Sequence, residues 1–277
     1  MNQIPVYDRG ADILNVENVS VLYDRPILRD VNLSIKDIHR PGLTQGQVVA
    51  LLAPSGMGKT QLFRCIAGLQ EPSSGAVFVS DTGVKTQVKA GMVGVVPQNY
   101  LLFGHRTVYG NLLVSARLKG LSEQQAKERI VPLLEQFGLT QTANLYPPQL
   151  SGGQKQRVSI LQQMLCSGHY LLMDEPFSGL DPILKEQAVN LIVDIASRDE
   201  LNTIIVTTHD IESAISVADT ICLLGRDTDA TGNKTPGARI QTEYNLIERG
   251  LTWQPDIQNL PEFRELANEI KRKFWEL

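Results

Sequence analysis

Two hydrophobic patterns alternate along the chain and predict a sheet that is covered by helices. Apolar runs of strand length lie at residues 13–23, 27–35, 48–53, 76–79, 92–96, 170–173, 203–207 and 220–224. Helical patterns lie at residues 60–67, 108–119 and 122–137 and begin again at residues 152, 181 and 210. Strands that alternate with helices are typical of a parallel sheet with helices on its faces, so we predict an α/β fold.

The first two strands predict an antiparallel part near the beginning of the chain. They flank a turn at residues 24–26 that contains a proline, which is typical of a hairpin. Residues 36–45 carry a Pro-Gly pair and mixed charges. We therefore expect a loop there that is longer than the hairpin needs.

A helical segment interrupts the β-rich pattern between residues 98 and 151. Its two helices end at glycines, and Ser122 and Gln125 have the spacing of a capping box. We predict a main domain at residues 12–226 that contains a helical insert at about residues 99–165.

The last fifty residues differ in composition. Residues 227–237 are polar and glycine-bearing, which predicts a linker. A helix that ends near Phe274 should follow, because Asn259 and Glu262 have capping-box spacing ahead of it. Residues 227–277 are thus predicted to be a linker and a short helical tail.

Composition narrows the class of protein. The 277 residues are 42% hydrophobic and 20% charged, as in ordinary soluble globular proteins. A net charge of −4 argues against binding nucleic acid by bulk electrostatics. Cys65, Cys166 and Cys222 lack CxxC spacing and are expected to be core residues in a reducing cytosol. We see no signal peptide at the amino terminus and no apolar run long enough to span a membrane.

The apolar run at residues 48–53 leads into a turn and a helix that together read APSGMGKT. Such a turn directs successive backbone N–H groups into one concavity at the positive end of a helix, which favours a phosphate chain. Lys59 can reach the terminal phosphates, and the Thr60 hydroxyl can ligate Mg²⁺. Ala53 replaces the usual first glycine of this motif, but it lies at the strand end, away from the tight part of the turn. A strand-to-helix turn with a chance Lys-Thr pair is the alternative.

Two carboxylates follow the apolar strand at residues 170–173. Strand alternation points Asp174 and Glu175 in different directions, so one can hold Mg²⁺ and the other can orient an attacking water. An acidic pair that merely caps a strand is the alternative reading.

The stretch LSGGQ at residues 150–154 opens another helix. Ser151 and Gln154 also satisfy the capping-box rule, so a plain helix start is possible. That reading does not explain Gly152 and Gly153, since paired glycines weaken a first turn. They are understandable if a ligand must approach the backbone closely.

With LSGGQ, the chain resembles the ATP-binding-cassette (ABC) family, whose signature this is. The resemblance extends over roughly residues 13–224 and rests on several motifs in the same order. Gln98 resembles the Q-loop glutamine, Asp174-Glu175 the Walker B pair, Asp181 the last residue of the D-loop, His209 the switch histidine and Tyr23 the adenine-stacking aromatic. Leu161-Gln162-Gln163 departs from an Ala-Arg-Ala stretch that is common in the family.

The resemblance implies a P-loop NTPase core with a mostly parallel sheet, an N-terminal antiparallel β subdomain and a helical subdomain insert. It implies ATP and Mg²⁺ as ligands, Glu175, His209 and Gln98 as catalytic residues, and Thr60, Gln98 and Asp174 around the metal. The implied nucleotide-binding residues are Tyr23, Ala53, Pro54, Ser55, Gly56, Met57, Gly58, Lys59, Thr60, Gln61, Ser151, Gly152, Gly153, Gln154 and Asp181.

The resemblance also implies partners. In the family, two cassettes pair head to tail around two ATP molecules, and a separate integral membrane permease contacts the helical insert, here near residues 100–111. We therefore expect the ATPase subunit of a transporter at the cytoplasmic face of the membrane, more typically of an importer, with no nucleic-acid partner. A soluble ABC ATPase that acts on nucleic acid or the ribosome is the alternative, and a P-loop kinase or binding module is disfavoured by LSGGQ.

Overall fold

A computed structural model of the chain describes residues 7–40, 46–81, 83–166, 170–197, 203–252 and 256–277. The strands within these ranges are β1 (Asp8–Leu22), β2 (Pro26–His39), β3 (Gln47–Leu52), β4 (Ser74–Asp81), β5 (Val84–Gln87), β6 (Gly94–Val96), β7 (Tyr170–Asp174), β8 (Thr203–Thr208), β9 (Thr220–Thr228) and β10 (Lys234–Asn245). The α helices are α1 (Lys59–Ile66), α2 (Val108–Leu118), α3 (Glu123–Gln136), α4 (Gly152–Cys166), α5 (Pro182–Ala196), α6 (Ile211–Val217) and α7 (Pro261–Glu276).

The described strands form one sheet in the order β5-β4-β1-β2-β10-β9-β3-β8-β7-β6. Strands β9, β3, β8, β7 and β6 are parallel to one another, whereas β10 is antiparallel to β9 and parallel to β2. Strands β5, β4, β1 and β2 pair antiparallel. The predicted α/β class is therefore confirmed, with a parallel core and an antiparallel N-terminal part.

Strand β3 divides the hydrophobic core into two sides. Val48, Ala50 and Leu52 pack with residues of α2 to α7, whereas Val49 and Leu51 pack with α1 and the antiparallel strands. All six residues of β3 are buried. A strand that is covered on both faces needs apolar residues at every position, which explains the uninterrupted apolar run in the sequence.

Helices α2 and α3 lie between β6 and β7 in the chain, where the helical pattern predominates. The Gln125 N–H donates to Ser122 Oγ at 3.3 Å, and the Ser122 N–H donates to Gln125 Oε1 at 3.0 Å. The predicted capping box at the start of α3 is thus confirmed. The boundaries that divide the chain into domains stay a prediction.

Residues 220–245 form a β hairpin, so the prediction of a linker at residues 227–237 is wrong. The polar, glycine-bearing stretch is a turn: Asp229 Oδ1 accepts hydrogen bonds from the Thr231 and Asn233 N–H groups at 2.8 and 2.9 Å. β10 then pairs with β9, and Ala238 is fully buried next to β2. The turn residues in this stretch predict a break in the chain, but the sequence gives little sign of the second strand because β10 is mostly polar.

Two smaller predictions are also corrected. β2 continues to His39, so the long loop predicted at residues 36–45 is wrong for residues 36–39, and residues 41–45 lie outside the described ranges. α7 begins at Pro261 after Leu260, which makes no side-chain cap, so the predicted capping box of Asn259 and Glu262 does not form. A proline at the first helical position has no N–H that needs a cap.

Two of the three cysteines are core residues as the sequence predicts, and Cys166 is not. Cys65 and Cys222 are buried, and burial raises the pKa of the Cys65 thiol to about 11. Cys166 is half-buried. In the part of the chain that the structure describes, no helix is both long enough and apolar enough to cross a membrane.

Candidate functional site

The loop between β3 and α1 is shaped by glycines with positive φ. Gly56 has φ 83° and Gly58 has φ 86°, a region that disfavours other residues. A Cβ atom on Gly58 would lie 2.9 Å from both Ile27 Cγ2 and Leu28 Cδ2. Ala53 has no positive φ, is fully buried and continues the sheet by donating its N–H to the Thr208 carbonyl at 3.2 Å. The replacement of glycine by Ala53 therefore leaves the loop intact.

Lys59, the first residue of α1, extends back across this loop. Its Nζ donates to the Ala53 carbonyl at 2.7 Å and lies 3.2 Å from Glu175 Oε1. The two side chains are only 9% and 14% exposed. A largely enclosed ammonium group therefore lies against the backbone of this loop, next to a carboxylate.

Glu175 follows β7 and is held in a strained conformation. Its φ is 48°, and its N–H donates to the Thr207 carbonyl at 2.8 Å. A non-glycine residue in this region costs on the order of 1–3 kcal/mol, and such strain is concentrated at functional sites. Glu175 Oε2 lies 2.9 Å from His209 Nδ1 and accepts a hydrogen bond from the Thr208 hydroxyl at 3.2 Å.

The neighbour of His209 anchors the next helix. Asp210 caps α6 by accepting from the Ser213 N–H at 2.9 Å, and it also pairs with Lys185 of α5. Burial raises the pKa of Asp210, but the hydrogen bonds from Lys185 and Ser213 outweigh burial and leave this pKa below its usual value. A fixed, ionised Asp210 thus holds the strand end that carries His209.

A groove of about 370 Å³ opens between α1 and the helical insert. Thr60 and Asp174 both line it, together with Arg64, Leu69, Val95 and Leu101. Hydroxyl and carboxylate oxygens are ligands that Mg²⁺ prefers, and this ion commonly takes its remaining ligands from water and phosphate. The donor chemistry of Thr60 and Asp174 therefore fits Mg²⁺. Among the described residues, no cluster of His, Cys, Asp and Glu could hold a metal without such outside ligands.

Three further predicted site residues, Gln98, Asp181 and Tyr23, make hydrogen bonds outside this network. Gln98 Nε2 donates to Ser178 Oγ at 3.2 Å. Asp181 caps α5 by accepting from the Ile183 and Leu184 N–H groups, both at 3.0 Å. Tyr23 is 57% exposed, and its hydroxyl accepts from Gln70 Nε2 at 3.0 Å.

Ser151 and Gln154 form the capping box that the plain helix reading requires. The Ser151 N–H donates to Gln154 Oε1 at 2.9 Å, and the Gln154 N–H donates to Ser151 Oγ at 3.3 Å. Gly152 and Gly153 are different, because a Cβ atom on either one would meet no atom within 4 Å. Packing within the described part of the chain therefore gives no reason for the paired glycines.

The structure brings part of the predicted site together. Lys59, Glu175 and His209 form one network, and Thr60 and Asp174 share the adjacent groove. In the described part of the chain, residues 151–154 make no hydrogen bond to that network and instead cap α4.

Sequence reasoning missed the roles of Thr207 and Thr208. These residues end an apolar strand just before His209, and their hydroxyls contact Asp174 and Glu175. The available signal was two hydroxyl residues at the end of an apolar strand, which is the usual place for polar groups that serve a site in a parallel sheet.

The departure at Leu161-Gln162-Gln163 also has a structural outcome. Gln162 is buried and donates to Asn111 Oδ1 at 3.4 Å, and Gln163 Oε1 accepts from the Val95 N–H at 3.1 Å. Asn111 in turn donates to the carbonyls of Phe103, Arg106 and Thr107 at 2.9 to 3.2 Å. Amide side chains therefore connect α4 to β6 and to the loop before α2.

Comparison with known proteins gives consistent results. Residues 39–178 match the family described as ABC transporter. The sulfate/thiosulfate import ATP-binding protein CysA 2 of Rhizobium meliloti (strain 1021) is 36% identical over 219 residues, which are 77% of this chain and 57% of that protein. The spermidine/putrescine import ATP-binding protein PotA of Thermotoga maritima is 36% identical over 241 residues, which are 86% of this chain and 61% of that protein.

Solved structures extend the match over nearly the whole chain. The structure of cbiO1 from Clostridium perfringens, described as part of the ABC transporter complex cbiONQ, has a TM-score of 0.70 at 25% identity and covers 95% of this chain and 98% of that one. This chain spans less than two thirds of the length of the two curated relatives.

Proposed function

This chain belongs to the ABC transporter family, and on that premise we propose that it binds and hydrolyses ATP as the nucleotide-binding subunit of a transporter. The observation that carries the proposal is the network of Lys59, Glu175 and His209 beside a glycine loop, with 3.2 Å between the first pair and 2.9 Å between the second. Relatives named as import ATP-binding proteins support an importer. They do not favour the alternative of a soluble ABC ATPase on nucleic acid or the ribosome.

Each residue of the site has a separate role in ATP hydrolysis. The loop amides of residues 55–60 and the Lys59 ammonium bind the phosphates, as P-loops do. Thr60, Asp174 and Gln98 would hold Mg²⁺, which would neutralise charge on the phosphates. Glu175 orients the attacking water and accepts its proton, and His209 contacts the terminal phosphate.

The signature residues act on the nucleotide of a second cassette. Ser151 and Gly152 are exposed, and the space beside Gly152 and Gly153 is open in this chain. A second copy, placed head to tail, fills that space with its bound ATP. The backbone N–H groups at the start of α4 then face the terminal phosphate, which helix N-termini favour.

Gly152→Val is expected to abolish ATP-dependent pairing of two chains without lowering the melting temperature. The added side chain meets nothing in its own chain but enters the space proposed for the partner's nucleotide. Size-exclusion chromatography with and without excess Mg²⁺-free ATP measures the pairing. Gly104→Val is the matched control, because a Cβ there also meets no atom within 4 Å and the φ is not positive. Unchanged pairing in Gly152→Val would refute the proposed contact.

The loop before α2, beside the groove between α1 and the helical insert, is the proposed docking surface for the membrane permease. On this loop Leu101 and Phe103 are 68% and 45% exposed, and Leu69, which lines the groove, is 57% exposed. Asn111 fixes the loop that carries Leu101 and Phe103. Exposed apolar side chains on a rigid loop are typical of a contact surface for another protein.

Leu101→Glu is expected to prevent capture of the permease. The test uses the membrane subunit that co-purifies with the tagged wild-type chain from detergent-solubilised membranes. A buried charge at this surface should lower its recovery at least tenfold. Leu118→Glu is the control, because Leu118 is 78% exposed and lies at the far end of α2. Equal recovery with both variants would place the docking surface elsewhere.

A further inference from the structure

Two neighbouring threonines at the end of β8 face the two carboxylates at the end of β7. The strands are parallel, and their register pairs Asp174 with Thr207. Thr207 Oγ1 lies 2.6 Å from Asp174 Oδ1. Side chains of paired residues in adjacent strands point to the same face, so this contact follows from the register itself.

The Thr207 hydroxyl is the donor in this contact. An ionised carboxylate can only accept, so the hydroxyl hydrogen must point to Asp174. A separation of 2.6 Å is typical of a charge-assisted O–H···O⁻ bond. The other acceptor in reach, the Met173 carbonyl, is 3.5 Å away.

Burial and side-chain shape fix the direction of this hydroxyl. Thr207 is fully buried, so bulk water does not compete for the bond. A β-branched side chain in a strand has few χ1 rotamers. The carboxylate of Asp174, by contrast, turns about a broad χ2 torsion unless something holds it.

We propose that Thr207 is a positioning residue, whose hydroxyl holds one oxygen of Asp174 and thereby orients the other oxygen for Mg²⁺. The inference rests on the proposed function, in which Asp174 and Thr60 hold the metal from the shared groove. The residue beside it, Thr208, makes the corresponding contact to Glu175 Oε2 at 3.2 Å. The end of β8 thus orients both carboxylates of β7.

Loss of this hydroxyl should weaken metal binding selectively. Hydrogen-bond partners of metal-binding carboxylates typically contribute 10- to 100-fold to metal affinity. Thr207→Val keeps the branched shape and removes the hydroxyl. We expect this variant to raise the Mg²⁺ midpoint about tenfold, at the lower end of that range. The midpoint is the Mg²⁺ concentration at which the metal-dependent change in binding of an ATP analogue is half complete.

The experiment follows the binding of a fluorescent ATP analogue to the full chain, first in EDTA and then during titration with Mg²⁺. We expect the affinity in EDTA to be the same for wild type and Thr207→Val, because the phosphate-binding loop is untouched. The Mg²⁺ midpoint should rise only in the variant. Thr207→Ser restores the hydroxyl and should return the midpoint to within about twofold of wild type. In an Asp174→Asn background, Thr207→Val should have no further effect, since the carboxylate on which it acts is gone.

The outcomes separate this inference from the proposed function. A wild-type chain that does not bind the analogue, or whose binding ignores Mg²⁺, overturns the proposed function and this inference with it. A normal wild-type response together with an unchanged midpoint in Thr207→Val, or no rescue by Thr207→Ser, overturns only the positioning role. If Thr207→Val lowers the melting temperature so far that it does not fold, Thr207→Ala takes its place with the same expected midpoint.

Discussion

Glu175→Gln is expected to retain ATP binding while turnover falls by about 10²- to 10⁴-fold. Glutamine keeps the size of the side chain and one oxygen acceptor for the Thr208 hydroxyl, but it is a far weaker base. Its neutral amide also releases Lys59 from the ion pair at 3.2 Å. Phosphate release at saturating ATP and Mg²⁺, measured beside equilibrium binding of a fluorescent ATP analogue, separates the two effects.

A matched control is available on α5. Glu186 is an exposed glutamate outside the network, and Glu186→Gln should leave both measurements unchanged. Wild-type turnover in Glu175→Gln would remove Glu175 from its proposed role.

The Glu175→Gln variant should also accumulate as a dimer with excess ATP, because the nucleotide that joins the two copies is not consumed. A chain that stays monomeric under every condition would contradict the head-to-tail arrangement.

Lys59→Ala is expected to weaken ATP binding itself by roughly 10- to 150-fold, which corresponds to about 1.5–3 kcal/mol for hydrogen bonds with a charged group. The Lys59 side chain is largely enclosed, so water does not fully replace its ammonium group in the variant. Equilibrium binding of the fluorescent analogue measures the loss. Lys127→Ala, at an exposed position on α3, serves as the control.

The ion pair complicates this second variant, because removal of Lys59 leaves Glu175 without its cationic partner. The double variant Lys59→Ala with Glu175→Gln separates the loss of the phosphate contact from the effect of an unpaired Glu175 carboxylate. If the loss of affinity comes from the missing phosphate contact, the double variant should bind as weakly as Lys59→Ala. Affinity at the wild-type level in Lys59→Ala would contradict the assignment of Lys59 to the phosphates.

Most elements of the fold were predictable, because their signals are local. The glycine loop, the caps at Ser122, Asp181 and Asp210, and the apolar runs of β3, β7 and β8 all depend on residues within a few positions of each other. β10 was missed for the opposite reason. Its polar sequence becomes a strand only because β9 and β2 offer it hydrogen-bonding edges.

The candidate site shows the same division between local and distant effects. Lys59, Glu175 and His209 were recognised one by one from their motifs, but nothing in the sequence indicated that Lys59 and Glu175 form an ion pair. Thr207 looked like an ordinary strand residue, since its partner Asp174 lies 33 positions away. The paired glycines of the signature were predicted to serve a ligand, and the open space beside them leaves that prediction in place.

The amino-acid sequence by itself determined most of the strands and helices, with β10 as the main exception, and which loop can bind phosphate. These signals are local, because backbone conformation depends largely on neighbours a few residues away. Only the tertiary structure decided which side chains meet. The parallel register of β3, β8 and β7 places Ala53, Thr208 and Asp174 together at the carboxyl ends of these strands. More than a hundred residues of the chain separate Ala53 from the other two. Such contacts arise when strands that are far apart in the chain pair with each other, so a local sequence pattern cannot predict them.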